Sequence, residues 1–373
     1  MLYAEVIGHI PVKTKFIQLF AQNRLPHAIL LLGPEGTGGL PMAMALAQYI
    51  MCSNKSEFDS CGTCSNCQKA AKLQHPDILY SFPSINKDGT KALSQNYMAE
   101  FREFALQTPY GNIYEWLQFL GAENKQGNIT AEECRRIIEH FNLRAYEGEY
   151  KIMVMWRPEF LGNEGNMLLK LIEEPPVKTI LLFVAENHEQ ILNTILSRVQ
   201  LVKLNPLPAS EIQKALVSRN NLPEMQAVQM ARLANGSYGE ALRLTQHTEN
   251  DLLPLYREWL NYLFTNKGSD LMEWIARVAD LGRETQKQFL AYCLTLYEQG
   301  LRLEYMGLEQ LYLLEEEKVL LQKMMQLGFR SWHFSNMSLL VNDAVYHVER
   351  NANPKILFHA LSIRLRQVMQ TKA

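Results

Sequence analysis

Four cysteines, Cys52, Cys61, Cys64 and Cys67, lie within sixteen residues in the spacing C-x8-C-x2-C-x2-C. Four thiolates complete a tetrahedral zinc site, and closely spaced pairs let one short loop supply adjacent ligands. Such a site has no open position. Its role is structural, stapling a loop too small to hold itself together. Two readings compete with zinc. An iron–sulfur cluster shares the C-x2-C-x2-C run, but Gln68-Lys69-Ala70-Ala71 replaces the expected C-x3-C-P continuation. The other is four free thiols. Cys134 and Cys293 stand apart and read as small buried apolar residues.

A second constellation precedes the cysteines. Gly33-Pro34-Glu35-Gly36-Thr37-Gly38-Gly39-Leu40 follows an apolar run, Ala28 to Leu32, and leads into a helix-like run from Pro41 to Met51. Strand, glycine-rich loop and helix in that order make a phosphate-binding loop, with Gly33, Gly36 and Gly38 placed so that backbone N–H groups wrap a phosphate. The motif then requires Lys and Ser/Thr. Here those positions hold Gly39 and Leu40. The lysine meets the β- and γ-phosphates and the hydroxyl holds Mg²⁺. One close charge contact near a protein surface is worth on the order of 4 kcal/mol, so tight ATP binding is expected to be lost. The run Lys151 to Met155, where an ATPase strand would end in metal-holding acids, continues instead into Trp156-Arg157-Pro158-Glu159. Only Glu159 is acidic, and it lies past the expected place.

The elements that would position these groups read as an α/β domain. Strands are expected at Asp77 to Tyr80 with Phe82 and at Val199 to Leu204, and as continuous apolar runs at Lys151 to Met155 and Thr179 to Ala185, alternating with helical segments. That pattern predicts a parallel sheet covered on both faces. Helices are expected over Ile10–Phe20, over Thr130–Leu143 with a capping box at Thr130 and Glu133, and over Asn166–Glu173, stopped by Pro175-Pro176. The stretch from about 84 to 128 is rich in aromatics without strand alternation. It reads as an inserted helical or irregular element, either a flap packed on the domain or a partner surface. After Pro208 the pattern is all-helical, with a second capping box at Ser210 to Gln213. Amphipathic helices are expected around Phe289–Leu303, Leu311–Met325 and Pro354–Met369. The expected domains are 1–205, α/β with a zinc module at 52–67; 206–250, a small helical lid; and 251–373, all-helical.

The chain's 373 residues suggest two or three domains. A net charge of −2 excludes a polyanion-binding protein, so any nucleic-acid contact must come from a local patch. No apolar run approaches a membrane span, and the first residues lack the pattern of a signal peptide. A soluble cytoplasmic protein is expected.

Asn166-Met167-Leu168-Leu169-Lys170-Leu171-Ile172-Glu173-Glu174-Pro175-Pro176 resembles the N-x-L-L-K-x-x-E-E-P-P signature of bacterial DNA polymerase III clamp-loader subunits, an AAA+ family. Ile195-Leu196-Ser197-Arg198 resembles their I-L-S-R motif, although Val199 follows where Cys is common. The cysteine spacing resembles the family's zinc module, and Leu25-Pro26-His27-Ala28 also fits. Gly236-Ser237-Tyr238-Gly239-Glu240-Ala241-Leu242 is similar to the G-S-x-R-x-A-L segment of the second domain. The resemblance covers residues 1 to about 245; beyond that the chain matches only in being helical. The 84–128 segment is longer than the family's usual connection.

Within the family, motor subunits keep intact phosphate loops and the delta prime class usually does not. Gly39, Leu40, Trp156 and Gly239, the last standing where an ATP-sensing arginine is expected, point to that class. The resemblance implies a non-hydrolysing subunit with a helical collar domain in a hetero-oligomer. Its partners would be motor subunits, a clamp-opening delta subunit, the sliding clamp and, through the assembly, primed DNA. It further implies that Arg198, supported by Ser197, reaches a neighbour's ATP as a trans arginine finger, a device worth roughly 10³ to 10⁵ in rate. From the residues alone, Arg198 pairing with a local carboxylate is the competing reading. Glu173 and Glu174 are assigned to an interface or to local ion pairs. The alternatives for the whole chain are an active gamma/tau-type motor ATPase and a free-standing zinc-dependent nucleic-acid-binding protein.

Overall fold

Successive side chains of a strand point to opposite faces, so a strand that is apolar at every position needs cover on both. The computed structural model shows that arrangement. It describes residues 1–371 apart from 88, 123–124, 248–251, 266–267, 309–310, 312, 314 and 351. The expected boundaries near 250 and 251 lie outside the described residues. The chain forms two compact units, Met1–Arg243 and Leu244–Ala373.

In the first unit five parallel strands, β1 (Ala28–Leu32), β2 (Ile78–Ser81), β3 (Lys151–Trp156), β4 (Thr179–Ala185) and β5 (Gln200–Lys203), lie in the order β2-β3-β4-β1-β5. Ile29, Leu31, Ile152, Val154, Leu182 and Val184 join one core layer. Their neighbours Leu30, Met153, Met155, Leu181 and Phe183 join the other. Between β1 and β2 come helices α2 (Gly39–Met51) and α3 (Ser65–Ala71), preceded at the N-terminus by α1 (Ile10–Ala21). The chain runs from β1 out to the edge strand β2, returns through β3 and β4, then crosses to β5. The turn after β1 is therefore the topological switch point, where an open α/β sheet leaves a crevice at the strands' carboxyl ends.

The 84–128 stretch is a flap packed on the sheet. It contains a short 3₁₀ turn, Ser94–Tyr97, and helices α4 (Met98–Gln107) and α5 (Ile113–Phe119), and its ends pair through an antiparallel bridge between Ser84 and Asn128. Phe101 stacks on Phe82 with ring centroids 3.8 Å apart, and Trp116 meets both rings edge-on at 5.4 Å. Phe101 and Phe104 also contact Trp156. The aromatic richness is core, and Trp156 turns into it.

Helix α6 (Ala131–Asn142) covers the other face with α7 (Leu169–Glu173). The Thr130 hydroxyl caps α6 by accepting from Glu133 N–H at 3.3 Å. The return half of the expected box is absent, because the buried Glu133 carboxylate accepts from Ser94 N–H instead and pins the flap. Around Asn166 the chain is 3₁₀ (Pro158–Leu168), kinked at Gly162, and only Leu169–Glu173 is α-helical.

After α8 (Asn193–Leu196) and β5 come α9 (Ala209–Asn220), α10 (Glu224–Leu233) and α11 (Tyr238–His247). The capping box expected at Ser210 does not form. Helix α9 starts one residue earlier with Pro208 as its cap, which leaves Ser210 inside the first turn. The described residues of the second unit form α12 (Leu252–Thr265), α13 (Gly268–Asp280), α14 (Arg283–Met306), α15 (Glu315–Gln326), α16 (Ser331–Glu349) and α17 (Pro354–Gln370). Leu311 precedes α15 rather than opening it. This unit is organised around Trp259 stacked on Trp274 at 5.0 Å. Among the described residues no helix is long and apolar enough to cross a membrane.

Candidate functional site

The phosphate loop leaves β1 with Gly33 and enters α2 at Gly39. Gly33 N–H donates to Ala185 O at 3.2 Å, so it is spent on β4. Gly36 and Gly38 take φ of 70° and 105°, values that favour glycine. At Gly39, where the motif needs lysine, an added Cβ would stand 2.8 Å from Val184 Cγ1. The site has lost the charge and also the space at its root.

Protein groups cover this loop. Tyr238 N–H and Gly239 N–H, at the start of α11, donate to Gly36 O at 2.9 and 3.2 Å. A Cβ on Gly36 would lie 2.1 Å from Ser237 Oγ. Tyr110, between α4 and α5, sets its ring 3.0 Å from where a Gly38 Cβ would be, and its hydroxyl accepts from Ile7 N–H at 2.8 Å. Its ring meets Tyr238 edge-on at 4.9 Å. At Gly239 a Cβ would stand 2.4 Å from Tyr110 O, so a larger residue there would collide with the flap's backbone. His9 Nε2 bonds Thr37 O at 2.8 Å.

Two arginines, Arg243 buried and Arg157 half-buried, organise the charge. Arg243, on α11, donates to Glu35 Oε1 of the loop at 2.6 Å, to Glu115 Oε2 of the flap at 3.1 Å and to Glu240 Oε2 at 2.8 Å. Glu35 Oε1 also accepts from Asn112 Nδ2 at 2.8 Å. Burial alone would lower the Arg243 pKa, but Glu35, Glu240 and Glu115 outweigh it and hold the guanidinium charged. Arg157 follows β3 with φ 63°. It pairs with Glu186 and lies 3.9 Å from Glu159. A cation therefore sits where an ATPase strand offers carboxylates to a metal. Burial pulls its pKa down, and Glu186 and Glu159 more than offset this. Glu159 Oε1 accepts from Glu186 N–H and Asn187 N–H at 2.6 and 3.0 Å, a structural use.

Residues 8–208 match the protein family described as DNA polymerase III, delta subunit. The chain belongs to the DNA polymerase III clamp-loader family. Its relatives include DNA polymerase III subunit delta' of Bacillus subtilis (strain 168), 27% identical over 231 residues, 61% of this chain and 56% of that protein. Subunit delta' of Escherichia coli (strain K12) is 26% identical over 234 residues, 62% of this chain and 58% of its own. Subunit tau/gamma of Haemophilus influenzae is 24% identical over 310 residues, 76% of this chain and 39% of its own. The chain thus spans less than two thirds of the length of each.

The four cysteines come together as the spacing requires. Their sulfurs all lie within 4.8 Å of one another, with Cys52–Cys61 at 3.5 Å and Cys61–Cys67 at 3.9 Å. Zinc–sulfur bonds of about 2.3 Å in a tetrahedron place sulfurs about 3.8 Å apart. Backbone N–H groups of Cys61, Cys64 and Cys67 point at the sulfurs of Cys52, Cys61 and Cys64. The donor set fits a structural metal. Cys134 and Cys293 are buried.

Arg198 lies at the surface. It pairs with Glu173, and its Nη1 donates to Thr194 O at 2.9 Å and to Ser197 Oγ at 3.1 Å. Ser197 Oγ in turn donates to Thr194 O at 3.1 Å. The local pair foreseen for Arg198 is present. Its energy is small, about 0–1 kcal/mol for an exposed pair. Asn112, Glu115 and Arg243 carry no signal in the sequence that assigns them to this site, and Tyr110 shows there only as part of the aromatic-rich 84–128 stretch. The Asn112-x-x-Glu115 capping box was legible, and both of its bonds form at 2.8 Å. The 208-residue separation of Arg243 from Glu35 left no local signal.

Proposed function

We propose that this chain is a delta prime-type subunit of the clamp loader. It binds and hydrolyses no ATP of its own. It serves as a fixed member of a hetero-oligomer with motor and delta subunits, and helps place the sliding clamp on primed DNA. Its first 205 residues act as an AAA+ α/β domain, 206–250 as a lid and 251–373 as the oligomerising collar. Cys52, Cys61, Cys64 and Cys67 hold a structural Zn²⁺, which supplies cross-linking and no reaction chemistry.

The observation that carries this reading is the paired loss at Gly39 and Arg157. Phosphoryl transfer needs a lysine at the first position and a metal-holding acid near the second. Here the first is closed against Val184 and the second is a cation paired with Glu186. Arg198, by contrast, is at the surface in a weak pair. There it can exchange Glu173 for a more highly charged phosphate of a neighbour, with Ser197 shaping the turn. Reconstitution with motor subunits tests this. Arg198→Ala is expected to leave the chain assembled and to lower the assembly's ATPase by at least about ten-fold; an unchanged rate removes the finger. The tau/gamma-type relative aligned over 310 residues supports a motor as the second reading. ATP turnover by the isolated chain would favour it.

A further inference from the structure

The flap does more than complete the core. Its aromatic anchor, Phe101, Phe104 and Trp116, packs on Phe82 and Trp156 of the sheet face and requires nothing of the phosphate loop. Yet the segment between α4 and α5 reaches the loop with groups of a different kind. Tyr110 gives a ring to Gly38, a carbonyl edge to Gly239 and a hydroxyl acceptor to Ile7 N–H. Asn112 gives an amide donor and Glu115 a carboxylate. A flat ring flanked by acceptors and an anion is the chemical inventory of a nucleotide.

We propose that residues 108–115 are a built-in occupant of the nucleotide cleft, and that Arg243 latches them together with α11 onto the phosphate loop. Arg243 is the one side chain described that ion-pairs with the loop (Glu35), the flap (Glu115) and α11 (Glu240) at once. Three carboxylates converging on one guanidinium repel one another without it. Losing the guanidinium therefore loosens all three segments together. The chain's own groups thus set how α11 meets the loop. This inference rests on the reading that the cleft takes no ATP, but adds that the missing lysine is not the only barrier.

Two experiments on the full chain test it, each read against wild type. The first restores the motif with Gly39→Lys and Leu40→Thr, opens its root with Val184→Ala because a Cβ at Gly39 would stand 2.8 Å from Val184 Cγ1, and titrates Mg·ATP by calorimetry. No saturation up to about 1 mM is expected, because the occupant remains. Tight binding by this variant overturns the built-in occupant and leaves the degenerate-motif reading intact; binding by wild type defeats that reading itself. The second follows amide exchange in Arg243→Gln and, independently, Glu115→Gln. Exchange is expected to rise together in 34–39, 108–116 and 237–243, by about ten-fold in Arg243→Gln, while β3 and β4 stay protected. A rise confined to the mutated segment, or none, overturns the latch. Glu115→Gln removes one of three carboxylates and preserves shape, so it reads the latch even where Arg243→Gln unfolds.

Discussion

The cysteine cluster draws four ligands from sixteen consecutive residues, whereas the cleft beside the phosphate loop is assembled from segments as far apart as Glu35 and Arg243. Both lie in one compact unit. In the first, four sulfurs face one another with backbone N–H groups and the side chains of Ser53 and Thr63 beside them, a donor set that fits a cation. In the second, acceptors on and beside the phosphate loop have found protein partners. Gly36 O is taken by α11, Glu35 by Asn112 and Arg243, and Glu186 by Arg157. A site built from distant segments can be refilled by substitutions in any of them. A site built from one short loop has no such substitutes, and keeps its ligand or loses its fold.

Chelation is the treatment expected to break this contrast most severely. Structural zinc supplies on the order of 10 kcal/mol of apparent folding free energy in small domains. Chelation or Cys64→Ser is therefore expected to cost the first unit more than about 5 kcal/mol, read as a large fall in its thermal midpoint. An unaltered midpoint would mean that the cysteines are free thiols. Trp116→Ala, which removes the flap's anchor, is expected to cost about 3–5 kcal/mol in denaturant unfolding. A loss under about 1 kcal/mol would place the flap outside the core. Arg243→Ala leaves Glu35, Glu115 and Glu240 facing one another, and should cost about 2–4 kcal/mol. The loss should shrink in high salt, since these carboxylates are partly exposed.

Acid sharpens the comparison from the far end of the sheet. Burial, with Lys151 and Arg136 nearby, holds His140 at a pKa of about 4, below its usual 6.5. The unfolded chain therefore takes up this proton first as pH falls, and stability declines between about 6.5 and 4. Asp77 is also depressed. Burial would raise it, but the N–H groups of Tyr146, Glu147 and Gly148 outweigh that, so its contribution is present above 3.8 and lost below it. His140→Gln should flatten the upper part of the acid slope relative to wild type. An unchanged slope would assign it wholly to metal release. Arg198→Ala has the smallest expected effect on this chain, within about 0.5 kcal/mol, since its pair with Glu173 is exposed. A larger loss would make Arg198 a structural residue.

Periodicity carried the sheet. Each strand forms within a residue or two of its expected place; β1 to β4 are buried and close to continuously apolar, whereas β5 is a largely exposed edge strand carrying Gln200 and Lys203. The cysteine site was legible for the same reason of locality. Helix starts were less so. At Glu133 and Ser210 the local capping pattern lost to a tertiary partner and to Pro208 respectively. The missing lysine showed in the sequence, but what stands in the cleft did not. The Tyr110–Gly38, Asn112–Glu35 and Arg243–Glu35 contacts join segments whose proximity follows only from the closed fold.

The central claim is that the cleft at Gly33–Leu40 is closed by the chain itself. Calorimetric titration of the purified wild-type chain with Mg·ATP tests it most directly. The expected result is no binding heat and no change in thermal midpoint at any concentration up to about 1 mM. Saturable binding at micromolar ATP, with faster amide exchange around Tyr110 as the flap is displaced, would contradict it.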